Sequence, residues 1–358
     1  MKRPAVNEGM VQVLIVDDSR TEQIQLANLL TRNNRIAVAG SVAGGIEALE
    51  FLKHTRPEVI VMDLHMPQYG GLEVTKAIME RFPTPIIIVT ADRKHATADS
   101  AFKLLEAGAL AVLEKPFSFN EGQEELLADQ LRRLVMNLAR VKLVHRLPRG
   151  SERSYSEPAA QADQLGNSGR TINCIAIGAS TGGPPVLKQI LCGISAEVEA
   201  PILIAQHMVP GFLDGFAHWI GKEVGRPVII PRSGLRVEDG MIYLGPGDQD
   251  MSIDQEGKIA LVSPSSKTGQ LTSVDTLFQS VAEQFGGSVI AILLTGMGSD
   301  GARGLLALRK KGAVTIVQSA ETAAVNGMPG AAVKLDAAVL ILPPDQIPGT
   351  INMFFSKP

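Results

Sequence analysis

Short runs of aliphatic residues, each followed closely by a polar side chain, recur through the first third of the chain. The runs are Val11–Val16, Val59–Met62, Ile86–Val89 and Ala111–Leu113, and the polar residues after them are Asp17, Asp18, Asp63, Thr90 and Lys115. Helical patterns lie between the runs. Strands that alternate with helices in this way predict a parallel, doubly wound α/β sheet.

The polar residues after these runs are predicted to share one crevice, because the carboxyl ends of parallel strands lie at one edge of an open sheet. An isolated Asp after a strand is more often a loop or helix-cap residue. Three carboxylates in one crevice, those of Asp17, Asp18 and Asp63, would raise one another's pKa unless a cation lay among them. Since Mg²⁺ prefers oxygen ligands, the group predicts a magnesium site.

The composition limits the classes of function. The chain has 358 residues, of which 45% are hydrophobic and 20% charged, and a net charge of −3, so two globular domains or one large one are expected. The small net charge does not favour a nucleic-acid partner, and the second half of the sequence lacks a helix-turn-helix pattern. Both observations argue against a transcriptional regulator.

No apolar run has the length of a membrane span, so the protein is not expected to be membrane-embedded. Cys174 and Cys192 are predicted to be small buried side chains of a cytoplasmic protein.

The middle of the chain predicts a domain boundary. Apolar residues recur at helical spacing from Leu126 to Val144, with basic residues such as Arg132 on the outer face. Residues 148–170 are rich in Pro, Gly, Ser and charge, and indicate a flexible linker. We therefore predict a first domain over residues 10–125, a helix and linker over 126–170, and a second domain over 171–356.

The second domain repeats the alternation of strands and helices. Strands are predicted at Thr171–Ile177, Pro201–Ala205, Val289–Leu294 and Val314–Val317, with a hairpin around Met241–Val262. Helical patterns separate most of these segments. A second parallel α/β sheet of Rossmann-like architecture, with a small antiparallel hairpin, is therefore expected.

The first strand of this domain runs into a glycine-rich turn that contains Ser180. Gly178–Gly182 fits the pattern G-x-S-x-G, in which glycines let the backbone turn sharply and expose the serine. Such a turn equally suits a phosphate cradle. The dinucleotide pattern G-x-G-x-x-G is not met, however, because Ser180 stands at its second glycine. The next strand leads to Gln206 and His207, where a ribose-binding carboxylate would be expected.

His207 favours a nucleophilic serine, since imidazole is the side chain suited to proton transfer near neutral pH. His218 lies in a helical pattern and is expected to be structural. Asp300, in a glycine-rich loop after a third strand, is the best candidate to orient the imidazole. An isolated Asp at such a position is as often a helix cap. The backbone N–H groups of residues 296–298 are candidates for an oxyanion hole.

The first domain resembles the receiver domain of two-component response regulators, which has a flavodoxin-like fold. The motifs that carry the resemblance are VLIVDDS, VIVMDLHMPQYGG, IIIVTAD and EKPF. The resemblance implies that Asp63 accepts phosphate from a histidine kinase and that Asp17 and Asp18 hold Mg²⁺ beside it. It also implies that Thr90 and Lys115 contact the phosphoryl group.

The second domain resembles the catalytic domain of the chemotaxis protein-glutamate methylesterases, the CheB family. The motifs are GASTGGPPVL, IAQHMVPGF, LLTGMGSDGARG and TIVQSAETAAVNGMPGAAV, and together with the receiver the resemblance spans nearly the whole chain. It implies a catalytic triad of Ser180, His207 and Asp300. The other residues implied at the site are Met297, through its backbone amide in the oxyanion hole, Thr181 and Gln206.

The same resemblance implies the reaction and its partners. The expected enzyme hydrolyses glutamyl methyl esters, and deamidates glutamines, on methyl-accepting chemoreceptors. Its hydrolase domain needs no cofactor, and its receiver is phosphorylated by a kinase of the CheA type. The unphosphorylated receiver is expected to cover the hydrolase site.

Five positions depart from the pattern of these families. Val112 stands where receivers often carry Tyr or Phe, so coupling through an aromatic rotamer is not expected. Asp250 stands where the methylesterases usually have His, Leu271 and Thr272 where they have Arg-Pro, and Gly330 where they have Arg. The last four are expected near the receptor-facing surface. They leave open an alternative, a catalytically weak response regulator that acts as a phosphate sink or scaffold.

Overall fold

The structure is a computed structural model that describes residues 9–66, 71–91, 95–116, 121–141, 171–263 and 272–356. The chain divides into two compact units, Met1–Leu143 and Val144–Pro358, and each contains its own parallel sheet. The expected boundaries at 10–125, 126–170 and 171–356 stay a prediction. The predicted linker, 148–170, lies outside the described residues.

The first unit is built on five parallel strands in the order β2-β1-β3-β4-β5. The strands are β1 (Val11–Val16), β2 (Ile36–Val42), β3 (Val59–Asp63), β4 (Ile86–Thr90) and β5 (Ala111–Glu114), and the helices are α1 (Arg20–Thr31), α2 (Gly45–His54), α3 (Gly71–Arg81), α4 (His95–Glu106) and α5 (Glu121–Leu138). Strands β3 and β4 are buried throughout, which explains why their sequences are continuous aliphatic runs.

Helix α5 differs from the helix predicted at Leu126–Val144. It begins at Glu121 and ends at Leu138, and it packs on α1. Arg132, which the sequence assigned to an exposed basic face, is buried. Its Nη1 donates a hydrogen bond to the carbonyl of Leu29 at 2.9 Å. The arginine therefore links α5 to α1 by a buried hydrogen bond within the first unit.

The second unit is built on seven parallel strands in the order β14-β13-β12-β6-β7-β9-β8, beside an antiparallel hairpin of β10 and β11. The strands are β6 (Cys174–Ala179), β7 (Ile202–Gln206), β8 (Val228–Ile229), β9 (Ile242–Leu244), β10 (Asp250–Ile253), β11 (Ile259–Val262), β12 (Val289–Leu293), β13 (Val314–Gln318) and β14 (Leu340–Leu342). The helices are α6 (Gly183–Gly193), α7 (Leu213–Val224), α8 (Val274–Phe285), α9 (Ala302–Lys310), α10 (Met328–Lys334) and α11 (Ile347–Met353), with a 3₁₀ turn at Pro210–Phe212.

Three neighbouring strands at the centre of this sheet determine where side chains can meet. Strand β6 lies between β12 and β7, and Gly178 is in register with Leu293 on one side and Ala205 on the other. Because the three strands are parallel, the loops that follow them begin at the same edge.

The fold class predicted from the sequence, two doubly wound parallel-sheet domains with a small hairpin, is confirmed. The hairpin is shorter than predicted, since Ile242–Leu244 pairs in parallel with β7 and belongs to the main sheet. Cys174 is buried as expected, but Cys192 is exposed, and the two cysteines form no disulfide. Within the part of the chain that is described, no helix has both the length and the apolar character needed to cross a membrane.

Candidate functional sites

The carboxyl ends of β6, β7 and β12 bring three polar side chains together. Ser180 follows β6, His207 follows β7, and Asp300 lies between β12 and α9. His207 Nδ1 is 3.1 Å from Ser180 Oγ, and His207 Nε2 is 2.9 Å from Asp300 Oδ2. The structure thus places the three predicted residues in one hydrogen-bonded chain.

The orientation of the imidazole fixes the tautomer that could act as a base. Nδ1 faces Ser180 and must accept its proton, so the neutral ring carries its hydrogen on Nε2 and donates it to Asp300. Serine proteases use the two ring nitrogens the other way round. The side chains of His207 and Asp300 are 17% and 21% exposed, so the chain of groups is accessible from one side.

Asp300 is held against the amino end of α8. Its carboxylate accepts the backbone N–H groups of Val274 at 2.8 Å and Asp275 at 2.9 Å, and the hydroxyl of Ser273 at 3.2 Å. Burial by itself would raise the pKa of Asp300. The hydrogen bond from His207, the positive charge of His207 and the backbone N–H donors outweigh burial and lower the pKa to about 2. Asp300 is therefore an ionised acceptor that can orient the imidazole and stabilise its protonated form.

Two glycines leave the space that the Ser180 turn requires. A Cβ at Gly296 would lie 2.7 Å from Ser180 Cβ and 2.2 Å from Met328 Sδ. Gly182 has a φ of +76°, in the left-handed region that other residues avoid, and a Cβ there would lie 2.7 Å from Ala324 Cβ. The sharp turn around the serine therefore depends on glycine, as the sequence pattern predicts.

The backbone N–H groups around Ser180 differ in their availability. The N–H of Ser180 itself donates to the carbonyl of Thr295 at 3.0 Å. The first turn of α6 contains two prolines, which have no N–H to offer. Within the described residues, the N–H groups of Thr181, Gly182, Met297 and Gly298 bond no acceptor, whereas the N–H of Gly296 donates to the carbonyl of Val325 at 3.0 Å. Of the unbonded amides, those of Thr181, directly after Ser180, and Met297 are the candidates for stabilising an oxyanion.

Gln206 connects the two strands that carry Ser180 and His207. The residue is buried, and its Nε2 donates to the carbonyls of both Ser180 and His207 at 2.9 Å. A Cβ at Gly183 would lie 2.3 Å from the Gln206 Oε1, so the glycine makes room for the amide. Gln206 supports the backbone on either side of the Ser180–His207 pair.

The positions that depart from the methylesterase pattern have unequal surroundings. Asp250 and Thr272 are buried, so neither side chain is itself presented to solvent. The Asp250 carboxylate accepts the backbone N–H of Ser273 at 2.7 Å. Gly330 lies in α10, where a Cβ would stand 3.4 Å from Asn326 Nδ2. Leu271 is outside the described residues.

In the first unit, the ammonium group of Lys115 lies among three carboxylates. Its Nζ is 2.8 Å from Asp17 Oδ2 and 2.7 Å from Asp63 Oδ1, and it also pairs with Glu22. Burial alone would lower the pKa of Lys115, but the hydrogen bonds to these carboxylates outweigh burial and raise it. Asp17, Asp63 and Lys115 are all buried, so the predicted cluster exists at this edge of the sheet.

The remaining predicted residues of this cluster lie beside it. The backbone N–H of Lys115 donates to the carbonyl of Thr90 at 2.9 Å, which places buried Thr90 next to the lysine. Asp18 is exposed. Burial raises the pKa of Asp63, and the opposing hydrogen bonds from Lys115 and from the N–H of His65 only partly offset this. Val112, at the position where an aromatic residue is common, is half-buried on β5.

The donor groups of this cluster suit a hard divalent cation. Carboxylate oxygens surround the Lys115 ammonium, which already serves as a cation between Asp17 and Asp63. Within the described segments, no three His, Cys, Asp or Glu side chains are arranged as a metal site in the present conformation. Asp17 and Asp63 nevertheless supply the oxygen ligands that Mg²⁺ prefers, with Asp18 adjacent in the chain.

Glu22 is a member of this cluster that the sequence did not reveal. Ser19 and Glu22 fit a capping box at the start of α1, in which the glutamate would bond the serine N–H. The N–H of Ser19 donates instead to Asp17 Oδ1 at 2.9 Å, and the Glu22 carboxylate turns to Lys115. The only feature of the sequence that could have indicated this contact is the position of Glu22, one helical turn after Asp17 and Asp18.

Comparison with known proteins gives the family. Residues 13–127 match the response regulator receiver domain, and residues 175–351 match the CheB methylesterase family. Protein-glutamate methylesterase/protein-glutamine glutaminase 1 of Syntrophus aciditrophicus is 40% identical over 338 residues, which cover 94% of this chain and 96% of that protein. The chain belongs to the CheB methylesterase family.

A second relative matches nearly the whole chain, and a solved structure matches about half of it. Protein-glutamate methylesterase/protein-glutamine glutaminase 3 of Hahella chejuensis is 40% identical over 96% of this chain and 98% of its own length. The crystal structure of the Thermotoga maritima CheB methylesterase catalytic domain is 32% identical, with a TM-score of 0.48, and covers 51% of this chain and 99% of that chain. The family and the methylesterase class predicted from the sequence are confirmed.

Proposed function

We propose that this protein is a phosphorylation-activated serine hydrolase that demethylates glutamate methyl esters, and deamidates glutamines, on chemoreceptors. The observation that carries the proposal is the chain of hydrogen bonds from Ser180 through His207 to Asp300. The names of its full-length relatives supply the substrate class. This activity would give adaptation in a bacterial chemosensory pathway.

The geometry supports a two-step acyl transfer. Ser180 Oγ attacks the carbonyl carbon of the glutamyl ester while His207 Nδ1 takes the hydroxyl proton. The imidazolium, stabilised by Asp300, returns that proton to the methoxide, and methanol leaves. A water molecule then attacks the acyl-serine with the same base, which releases the glutamate and restores Ser180.

The oxyanion formed in each step needs donors that are free in the resting protein. The N–H groups of Met297 and Thr181 meet that requirement within the described residues. Thr181 follows the nucleophile directly, which is where serine hydrolases with a G-x-S-x-G turn place one oxyanion donor. An amide carbonyl passes through the same oxyanion, so a glutamine would yield glutamate and ammonia on the same groups.

Asp63 is proposed as the phosphoacceptor of the first unit. It is buried beside Lys115, which can pair with the phosphoryl oxygens, and close to Thr90, whose hydroxyl can donate to them. Asp17 and Asp18, with Asp63, would hold Mg²⁺, which when bound offsets the charge of the phosphoryl group. The phosphate donor is proposed to be a histidine kinase of the chemosensory array, and the site of action the cytoplasm.

Control of one unit by the other is part of the proposal. The unphosphorylated receiver would cover the Ser180 site, and phosphorylation of Asp63 would weaken that cover. A phosphoryl group adds about −1.5 to −2 charges at neutral pH, and a shift of roughly 5.5 kcal/mol is enough to move a two-state equilibrium from 1:99 to 99:1.

The test is methanol release from methyl-esterified chemoreceptor by the native protein and by Ser180→Ala, both supplied with a small-molecule phosphodonor and Mg²⁺. Native protein is expected to release methanol, and Ser180→Ala to fall by three or more orders of magnitude. Equal rates would favour the scaffold alternative, in which the chain only drains phosphate from the kinase.

A further inference from the structure

Asp250 is a buried acidic residue that the proposed reaction does not use. It opens β10 and is 3% exposed. Its Oδ1 accepts the backbone N–H of Ser273 at 2.7 Å, and its Oδ2 accepts the Thr276 hydroxyl at 3.4 Å. The carboxylate therefore bonds the residue that precedes α8 and a residue in its first turn.

Ser273 in turn contacts the carboxylate of Asp300. Ser273 is the N-cap of α8, and its hydroxyl oxygen accepts the N–H of Thr276 at 3.2 Å. The same hydroxyl lies 3.2 Å from Asp300 Oδ1 and donates to it. A continuous series of hydrogen bonds thus leads from Asp250 through Ser273 and Asp300 to His207 and Ser180.

The first turn of α8 is held by two carboxylates from elsewhere in the chain. Asp250 takes the N–H of Ser273, and Asp300 takes the N–H groups of Val274 and Asp275. Free N–H groups at a helix start carry partial positive charge. If Ser273 moved, the donors that define the position of Asp300 would move with it.

We propose that Asp250 is a positioning residue for the hydrolase reaction: it fixes Ser273, so that the first turn of α8 holds the Asp300 carboxylate in line with His207. The inference rests on the proposed function, because it concerns the reactivity of Ser180. Asp250 touches neither Ser180 nor His207 in any hydrogen bond of the described residues, and it acts through Ser273.

A purely structural role predicts something different. The hairpin is also attached to α8 by the N–H of Ile253, which donates to the Ser280 hydroxyl at 3.0 Å, and Met251 is buried in the same hydrophobic core as Leu277 of α8. These contacts remain when Asp250 is changed. Loss of the Asp250 carboxylate should therefore disturb the first turn of α8 more than the fold of the hairpin.

Three variants of the full-length protein separate these roles. Asp250→Ala removes the acceptor for the Ser273 N–H. Asp250→Asn keeps an oxygen for that N–H and presents an amide to the Thr276 hydroxyl. Asp254→Ala is the matched control, because Asp254 lies in the same hairpin and accepts two backbone N–H groups, at 2.9 Å each, but bonds none of the residues that lead to Asp300.

Each variant is phosphorylated and measured in two ways, by kcat and KM for methanol release from methylated receptor and by the rate at which a fluorophosphonate labels Ser180. We expect Asp250→Ala to lose roughly 10- to 100-fold in both kcat and labelling rate, with KM within about two-fold. Asp250→Asn should recover most of both rates, and Asp254→Ala should match the native protein. Thermal unfolding is measured on each variant to check that it is folded.

The proposal is overturned if folded Asp250→Ala labels and turns over within two-fold of native, or if Asp250→Asn is as impaired as Asp250→Ala. If Asp250→Ala does not fold, the test rests on Asp250→Asn, for which the proposal requires a near-native rate of Ser180 labelling. Labelling without methanol release in the native protein would count against the proposed substrate, and the labelling comparison would still test Asp250.

Discussion

Asp300 illustrates how a surface-loop carboxylate becomes a fixed acceptor. It receives N–H groups from the start of α8 and from its own loop, together with the imidazole of His207. These donors favour its ionised form more than burial opposes it, so its pKa lies near 2. The carboxylate therefore stays charged across the whole pH range in which a serine hydrolase works.

The depressed pKa has a consequence for stability. The pKa of Asp300 is lowered from 3.8 to about 2 in the folded protein, so its ionisation stabilises the fold above about pH 4 and ceases to do so as the pH falls through 2. The free energy of unfolding of native protein should exceed that of Asp300→Asn by about 2 kcal/mol near pH 6. Urea unfolding at several pH values measures the difference, which should shrink below pH 4. A difference independent of pH would contradict this account of Asp300.

Glu22 would compete with a phosphoryl group on Asp63 for Lys115. Its carboxylate pairs with the ammonium group that the phosphoryl oxygens would need, and it adds negative charge near a dianion. We expect Glu22→Gln to lengthen the lifetime of phosphorylated Asp63 a few-fold at saturating Mg²⁺, as measured by loss of label from the phosphoprotein. The control is Glu47→Gln, an exposed first-turn glutamate of α2. A lifetime unchanged or shortened relative to that control would refute the role given to Glu22.

At the scale of elements, the hydrolase site depends on three loops that begin at one edge of the sheet. Strands β12, β6 and β7 are adjacent and parallel, so Asp300, Ser180 and His207 meet without any long connection. The loops approach one another so closely that Gly296 has no room for a side chain. Precision at the site therefore comes from the sheet register together with the glycines.

Gly296→Ala tests this close approach. The added Cβ would lie 2.7 Å from Ser180 Cβ and 2.2 Å from Met328 Sδ, so the loop or the serine must shift and the Ser180–His207 geometry changes. The kcat for methanol release should fall roughly 10- to 100-fold. Gly349→Ala, in α11 where a Cβ meets nothing within 4 Å, should keep native activity. Similar activity in both alanine variants would show that the Ser180 turn tolerates more space than the structure indicates.

Strand-end positions explain how much of this could be predicted from sequence. Ser180, His207 and Asp63 each follow or end an aliphatic run, and in a parallel sheet that alone predicts proximity. The roles of Glu22 and Asp250 could not be predicted in the same way, because each depends on a side chain turning toward another element. Strand β2 was missed for a related reason: the sequence of Ile36–Val42 mixes small and aliphatic residues, and most of the strand is only half-buried.

At the scale of the whole molecule, the chain joins two compact units, Met1–Leu143 and Val144–Pro358. Each has its own sheet and its own cluster of polar residues at the carboxyl edge. Since the hydrolase residues all come from the second unit, the first is expected to regulate the reaction and not to take part in it.

Removal of the first unit should therefore release the hydrolase from control. We expect residues 168–358 alone to hydrolyse receptor methyl esters faster than unphosphorylated full-length protein and at a rate independent of phosphodonor. Methanol release measured on the fragment, the full-length protein and the phosphorylated full-length protein provides the comparison. Equal rates in all three would exclude inhibition by the receiver.

Control of hydrolysis at Ser180 by phosphorylation of Asp63 is measured directly as the increase in methanol release that a phosphodonor produces. It is compared in native protein, Asp63→Asn and Ser180→Ala, all at full length with methylated receptor and Mg²⁺. We predict a rise in native protein, a low rate without response in Asp63→Asn, and no hydrolysis with or without donor in Ser180→Ala. An undiminished response in Asp63→Asn, or native turnover in Ser180→Ala, would contradict the account.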